Sequence, residues 1–224
     1  MEKTKMRILA VYCCGGLGKE VMDLAQSINK VEDKWDRFIF VDDNGAIEEI
    51  NGSNVFTFQQ VVELFKEDKV GFVIASGEPH IRRILQEKVE QAGYSLVNII
   101  AKSVSHISDL TQFGKGIIVF PNCYIGPNVK IGDNCIIHAN NTISHDSELG
   151  NHCMLCPSVS VSGTVKIGNE VFIGIGATIK DEIEIEDYAV VGIGSSVVNK
   201  LDERVIVMSS PARKIGLNTN NSVW

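Results

Sequence analysis

IGPNVK IGDNCI IHANNT ISHDSE LGNHCM LCPSVS VSGTVK, residues 125–166, divides into sixes that each open on an aliphatic residue. Followed outward, the register holds from Ile107 to Val197, sixteen consecutive first places without a polar side chain. The place after the anchor is often glycine, as at Gly126, Gly132, Gly150, Gly168, Gly174 and Gly192. The place two before it is small or β-branched, as at Val129, Cys135, Ser147, Cys153, Val159 and Ala177. A helix cannot keep a six-residue period on one side, whereas a short extended segment followed by a tight turn can. Each unit then turns one large and one small side chain inward, with glycine near the bend for backbone freedom. Three units close a triangular coil, and stacked coils share one core. The expected fold of residues 101–224 is a left-handed parallel β-helix.

The first hundred residues read differently. Residues 7–12, 37–41, 70–75 and 96–100 are apolar runs of strand length. Leu17, Val21, Leu24 and Ile28 recur at helical spacing; so do Phe58, Val61, Val62 and Phe65, and Ile81, Ile84, Leu85 and Val89 after Pro79. Strands alternating with helices predict a small parallel α/β sheet with right-handed crossovers, hence a mixed chain with a domain boundary near residue 100. Ligands of such sheets bind at the carboxyl ends of the strands. Gly15, Gly16 and Leu17, the pair Asp42 and Asp43, and Gly77 stand there. The glycines suit the approach of a diphosphate to a helix N-terminus, and the acids suit hydroxyl or ring N–H groups of a nucleotide. A plain strand–helix turn and a solvated loop read equally from these residues. The full GxGxxG spacing is absent, against NAD.

The net charge of −7 disfavours nucleic acid and anionic membranes as partners. No apolar run reaches the length of a membrane span, and MEKTKMRILAVY lacks a signal-peptide core, so a cytoplasmic protein is expected. Its six cysteines are then thiols, with Cys135 and Cys153 stacked on neighbouring coils. His138, His145 and His152 are spaced by seven against a repeat of six and must drift around the coil, so no metal is expected.

Both halves together resemble the sialic acid O-acetyltransferase and bacillosamine N-acetyltransferase family of hexapeptide-repeat sugar acetyltransferases. The likeness lies in GGLGKEVMDLA (15–25), FVDD (40–43), ASGEPHIRRI (75–84), residues 144–168 and the terminal SSPARKI (209–215). The resemblance implies a homotrimer that acetylates a nucleotide-linked amino sugar on nitrogen from acetyl-CoA, for surface polysaccharide. O-acetylation of a sialic-acid-like sugar and a non-catalytic nucleotide-sugar-binding protein are the alternatives. It makes His145 the general base and Asp146 the carboxylate that raises its basicity, a role histidine fits near neutral pH. It places acetyl-CoA outside the coils between subunits, at positions matching Gly163, Gly174, Ile175, Gly192 and Ile193, with Arg213 and Lys214 for its phosphates. Leu17 stands where a histidine is common. His138 replaces an asparagine of the sugar pocket, and Met154 replaces a second histidine at the thioester carbonyl.

Overall fold

A computed structural model describes residues 8–223, and the expected strand residue Arg7 and the start of the chain lie outside them. The chain divides into two compact units, one holding the described residues to Gly77 with Ile81–Ile99, the other Glu78–His80 with the residues from Ile100.

The first unit is an α/β sheet. Strand β1 (Ile8–Tyr12) is buried at every residue and lies between β2 (Arg37–Val41) and β5 (Val70–Ile74), all parallel. Helices α1 (Gly16–Glu32), α2 (Phe58–Leu64) and α3 (Pro79–Gln91) follow β1, β4 (Ser53–Phe56) and β5. Thr57 starts α2 with a full capping box to Gln60. The expected parallel α/β sheet is present, and β3 (Glu49–Ile50) and β4 add an antiparallel hairpin at its edge. Its turn, Asn51-Gly52, has both residues in the left-handed region. The strand expected over 96–100 is divided: β6 (Ser95–Leu96) pairs with β5, and Ile99–Ile100 is a separate two-residue strand. An apolar run carries no mark of which sheet takes each end. Nor does α3 bury its isoleucines. Ile81 and Ile84 are exposed, while Arg82 is fully buried and donates to the Ser76 carbonyl at 2.7 Å.

The second unit is the left-handed parallel β-helix. Each coil takes eighteen residues, so Ile136 pairs with Met154 and Met154 with Phe172. Anchors and small residues fill one core: Ile125, Ile137, Ile143, Cys135, Cys153 and Val159 are all 0% exposed. The thiols of Cys135 and Cys153 donate to the Gly150 and Gly168 carbonyls at 3.0 Å, one coil apart. The three outer faces differ in chemistry. One carries Ile118, Ile136, Met154, Phe172 and Val190, all buried. The second carries Tyr124, Thr142, Ser160, Thr178 and Ser196, and the third Lys130, Glu148, Lys166 and Glu184.

The glycines do a different job from the one expected. Gly132, Gly150, Gly168 and Gly174 do not have positive φ. A Cβ on Gly132 would lie 2.7 Å from the carbonyl carbon of Gly150, and one on Gly150 would lie 2.6 Å from that of Gly168. These glycines let coils stack closely. The bend itself falls two places later, where every sixth residue from Asn122 to Gly194 is left-handed, with φ of 53–67°. Asparagine and aspartate tolerate this conformation; His152, Thr164 and Glu170 adopt it at a cost of about 1–2 kcal/mol each. Each of the three donates its backbone N–H to a carbonyl of the preceding coil, at 2.8 or 2.9 Å, which offsets much of that cost.

Candidate active site

His145 stands two residues beyond the inward anchor Ile143, at the corner between the hydroxyl-bearing face and the charged face. Asp146 is the left-handed residue of that corner, with φ of 58°. The reversal brings two adjacent side chains to one side. His145 Nδ1 lies 2.8 Å from Asp146 Oδ2, and Asn128, one coil earlier, donates to Asp146 Oδ1 at 2.9 Å. The hydrogen bond from Asn128, then that from His145, lowers the pKa of Asp146 below the ordinary carboxylate range. Its carboxylate therefore accepts only, and His145 Nδ1 carries the proton, leaving Nε2 as the basic nitrogen. Both side chains are open to solvent. Gly163, one coil later, lies under the imidazole. A Cβ there would stand 2.6 Å from Cε1 and 2.7 Å from Nε2. Gly163 thus belongs first to the room His145 needs, a role its place in the repeat did not reveal.

His138 and His152 stand at the other two corners. His138 accepts from the Ala139 N–H at 2.8 Å, and its ring stacks on Phe120 at 4.3 Å and 8°. The coil does not bring it beside His145. Below it at the same corner follow Cys156, Gly174 and Gly192, where the side chains shrink and a groove of about 290 Å³ opens. Ile175 and Ile193 line this groove, 49% and 62% exposed, with Phe172, Ile206 and Met208. Four of the residues matched to acetyl-CoA therefore share one apolar groove. The sequence reading missed Cys156, Phe172, Ile206 and Met208, though Cys156 lies eighteen residues before Gly174, and Phe172 and Met208 lie eighteen on either side of Val190. Arg213 pairs across the terminal hairpin with Met208, and Lys214 with Val207, both cations exposed. Met154 is buried on the apolar face between Ile136 and Phe172, outside the groove lining.

In the first unit, Gly15 caps α1 and Gly16 begins it, and a Cβ on either would meet nothing within 4 Å. Gly77 is equally open, and Leu17 is half-buried in the first turn of α1. The glycine the fold demands is Gly18, whose Cβ would lie 2.1 Å from the Cys13 carbonyl oxygen. The first N–H groups of α1 have no acceptor within the helix. Asp42 borders a cleft of about 150 Å³ with Cys14, Asn44, Gly45, Ala46, Ile47 and Val55. Burial would raise its pKa, but bonds from the Asn44 N–H and from the Cys14 thiol and N–H outweigh burial and lower it. Asp43 differs from its neighbour. Its oxygens accept from Tyr12, Lys88 (2.6 Å) and the Phe58 N–H (2.9 Å), so its carboxylate is already engaged inside the unit. The pair expected to act together is split between a cleft and a structural network.

Residues 8–89 match the model of the PglD N-terminal domain, and residues 110–145 and 130–163 match that of the bacterial transferase hexapeptide. The chain carries a PglD-type N-terminal domain followed by transferase hexapeptide repeats. No curated protein matches the sequence. Among solved structures, it is similar to the acetyltransferase domain of PglB from Neisseria gonorrhoeae, at 25% identity and a TM-score of 0.87, covering 93% of this chain and 100% of that one. PerB from Caulobacter crescentus, solved with CoA and GDP-perosamine, is 26% identical with a TM-score of 0.83, over 93% and 97%. WeeI from Acinetobacter baumannii is 26% identical with a TM-score of 0.85, over 93% and 100%. The resemblance to hexapeptide-repeat sugar acetyltransferases is borne out. Among the described residues no helix is long and apolar enough to cross a membrane, and no three His, Cys, Asp or Glu side chains gather as a metal site.

Proposed function

We propose that this protein transfers the acetyl group of acetyl-CoA to the amine of a nucleotide-linked amino sugar, with His145 as general base. One observation carries the reading: a solvent-open imidazole whose Nδ1 is held by a carboxylate and whose Nε2 lies free over Gly163. In the proposed step the amine nitrogen attacks the thioester carbonyl carbon and His145 Nε2 takes the proton the nitrogen sheds. The tetrahedral adduct then collapses, the C–S bond breaks, and CoA leaves with the sulfur's electron pair. No covalent enzyme intermediate is needed. With Met154 buried, a backbone N–H must meet the oxyanion.

Acetyl-CoA is assigned to the groove of Gly174, Ile175, Gly192 and Ile193, with Arg213 and Lys214 near its phosphates. That groove and His145 lie at the two different corners that flank the hydroxyl-bearing face. A homotrimer that sets one protomer's groove against its neighbour's His145 would complete the site. The nucleotide is assigned to the open start of α1 at Gly15, Gly16 and Leu17 and to the Asp42 cleft, and Asp43 is withdrawn to a supporting role. The likeness to the perosamine N-acetyltransferase of Caulobacter crescentus, solved with CoA and GDP-perosamine, supports N- over O-acetylation. Six cysteine thiols suit a reducing cytoplasm.

The test is a screen of UDP-, dTDP- and GDP-linked 4-amino sugars with acetyl-CoA, read by mass spectrometry. A product 42 mass units heavier (roughly one acetyl group, formed without a covalent enzyme adduct) is expected with one of them, and CoA release with none would sink the reading. Gly16→Val should raise KM for the sugar nucleotide several-fold and leave that for acetyl-CoA unchanged. A rise in both would make the turn merely structural.

A further inference from the structure

The arrangement at the His145 corner depends on a residue of the preceding coil. Asn128 and Asp146 are eighteen residues apart and both left-handed, with φ of 59° and 58°, so their side chains leave the corner in the same direction. Asp146 is half-exposed, and a solvated carboxylate is free to turn about its own axis. Here it is not free. The Asn128 amide holds Oδ1 at 2.9 Å, and that leaves Oδ2 aimed at His145 Nδ1 at 2.8 Å. The imidazole has its own limit on the other side, since it rests where any Cβ on residue 163 would collide with it.

We propose that Asn128 is a positioning residue: it anchors one oxygen of Asp146 so that the other selects the His145 tautomer whose Nε2 is free to take a proton. The inference rests on the reading of His145 as general base. The order of effects follows from the bonding inventory. An amide N–H can only donate, a carboxylate can only accept, and the one remaining acceptor oxygen fixes the imidazole proton on Nδ1. The lowered pKa of Asp146, due first to Asn128, keeps that acceptor charged.

A second ladder of the same kind serves as an internal control. At another corner Asn122, with φ of 62°, donates to Asn140 Oδ1 at 3.2 Å, and neither side chain of that pair titrates. If such ladders only brace successive coils, both should matter equally for stability and neither for chemistry.

The experiment compares Asn128→Gly, Asn128→Asp and Asn122→Gly in the full chain. Glycine accepts the left-handed backbone without strain, and aspartate keeps the size while removing the donor. Imidazole ¹⁵N spectra of the ligand-free protein should show His145 protonated on Nδ1 in the wild type. Both Asn128 variants should move it toward the mixed tautomers of an unrestrained histidine, and kcat should fall about tenfold with both KM values unchanged. Asn122→Gly should leave tautomer and kcat as they are. An unmoved tautomer in both Asn128 variants overturns the proposal, as does an equal change in Asn122→Gly. The spectra need no acetyl transfer. Near wild-type turnover in His145→Ala would therefore sink the catalytic reading separately, without deciding what Asn128 does to the ring.

Discussion

His145 and His152 stand on the same scaffold, one corner apart, and differ in almost everything that matters to chemistry. His145 occupies the second place after its anchor, faces solvent and meets a carboxylate. His152 occupies the third place, the left-handed one, is 9% exposed, and has the amide of fully buried Asn134 3.4 Å from its Nδ1. The coil makes the corners equivalent in backbone. A shift of one place along the repeat then decides whether a side chain points out from the turn or forms it. His145 meets the charge of Asp146, its neighbour in the chain, and His152 meets the amide of Asn134, eighteen residues away. A base needs the open place and the charged partner together, and among these histidines only His145 has both.

The largest test of this contrast is to remove each ring in turn. His145→Ala should lower kcat by about 10²–10⁴-fold, with acetyl-CoA binding retained by calorimetry. His152→Ala should leave kcat unchanged. If both variants lose activity alike, the two corners are not distinct in function.

Gly163→Ala is next. Its backbone has no positive φ, so the new methyl can act only through the imidazole it displaces. A misplaced base costs on the order of 10²-fold in kcat, and steady-state kinetics should show that loss without a fall in thermal stability of comparable rank. Full activity would mean that the ring need not lie over residue 163.

Asp146→Asn should cost about tenfold in kcat and move the acidic limb of the pH–rate profile. The sign follows from the lowered pKa of Asp146, which keeps it charged down to below the ordinary carboxylate range. Activity that depends on this carboxylate is present while it is charged and is lost as pH falls through its lowered pKa, and the amide of the variant has no such step. A limb that stays in place would show that the 2.8 Å contact does not couple the two groups.

The smallest effect on turnover, and the clearest on folding, belongs to the buried corner. His152→Ala should lower the unfolding free energy by about 1–3 kcal/mol, from the lost contact to Asn134 and the cost of a left-handed alanine. Denaturant unfolding reads this directly. A stability equal to wild type would show that the Asn134 contact and its burial carry no net weight.

Much of this could be read in the sequence. Sixteen anchors at six-residue spacing left only a coil of three faces, and His145 was visible as the histidine of SHD. The purpose of the glycines was not. Composition alone cannot separate a residue that needs positive φ from one with no room for a Cβ, and here the second reason applies at Gly132, Gly150 and Gly163. In the first unit the strand over 96–100 was read whole, because hydrophobic runs do not show where a chain leaves one sheet for another.

Local repetition along the chain encodes the period, the inward face and the turns, and the sequence shows a histidine beside an aspartate. A six-residue pattern repeats at every coil, so it is redundant and tolerates the loss of any one signal. Which residues meet across coils and across strands is visible first in the folded chain. Asn128 reaches Asp146, Gly163 clears a place for His145, and Asp43 is taken up by Tyr12 and Lys88 while Asp42 is left at a cleft. These contacts depend on distances of a few ångströms between residues eighteen or more apart, and no local preference of the chain fixes them.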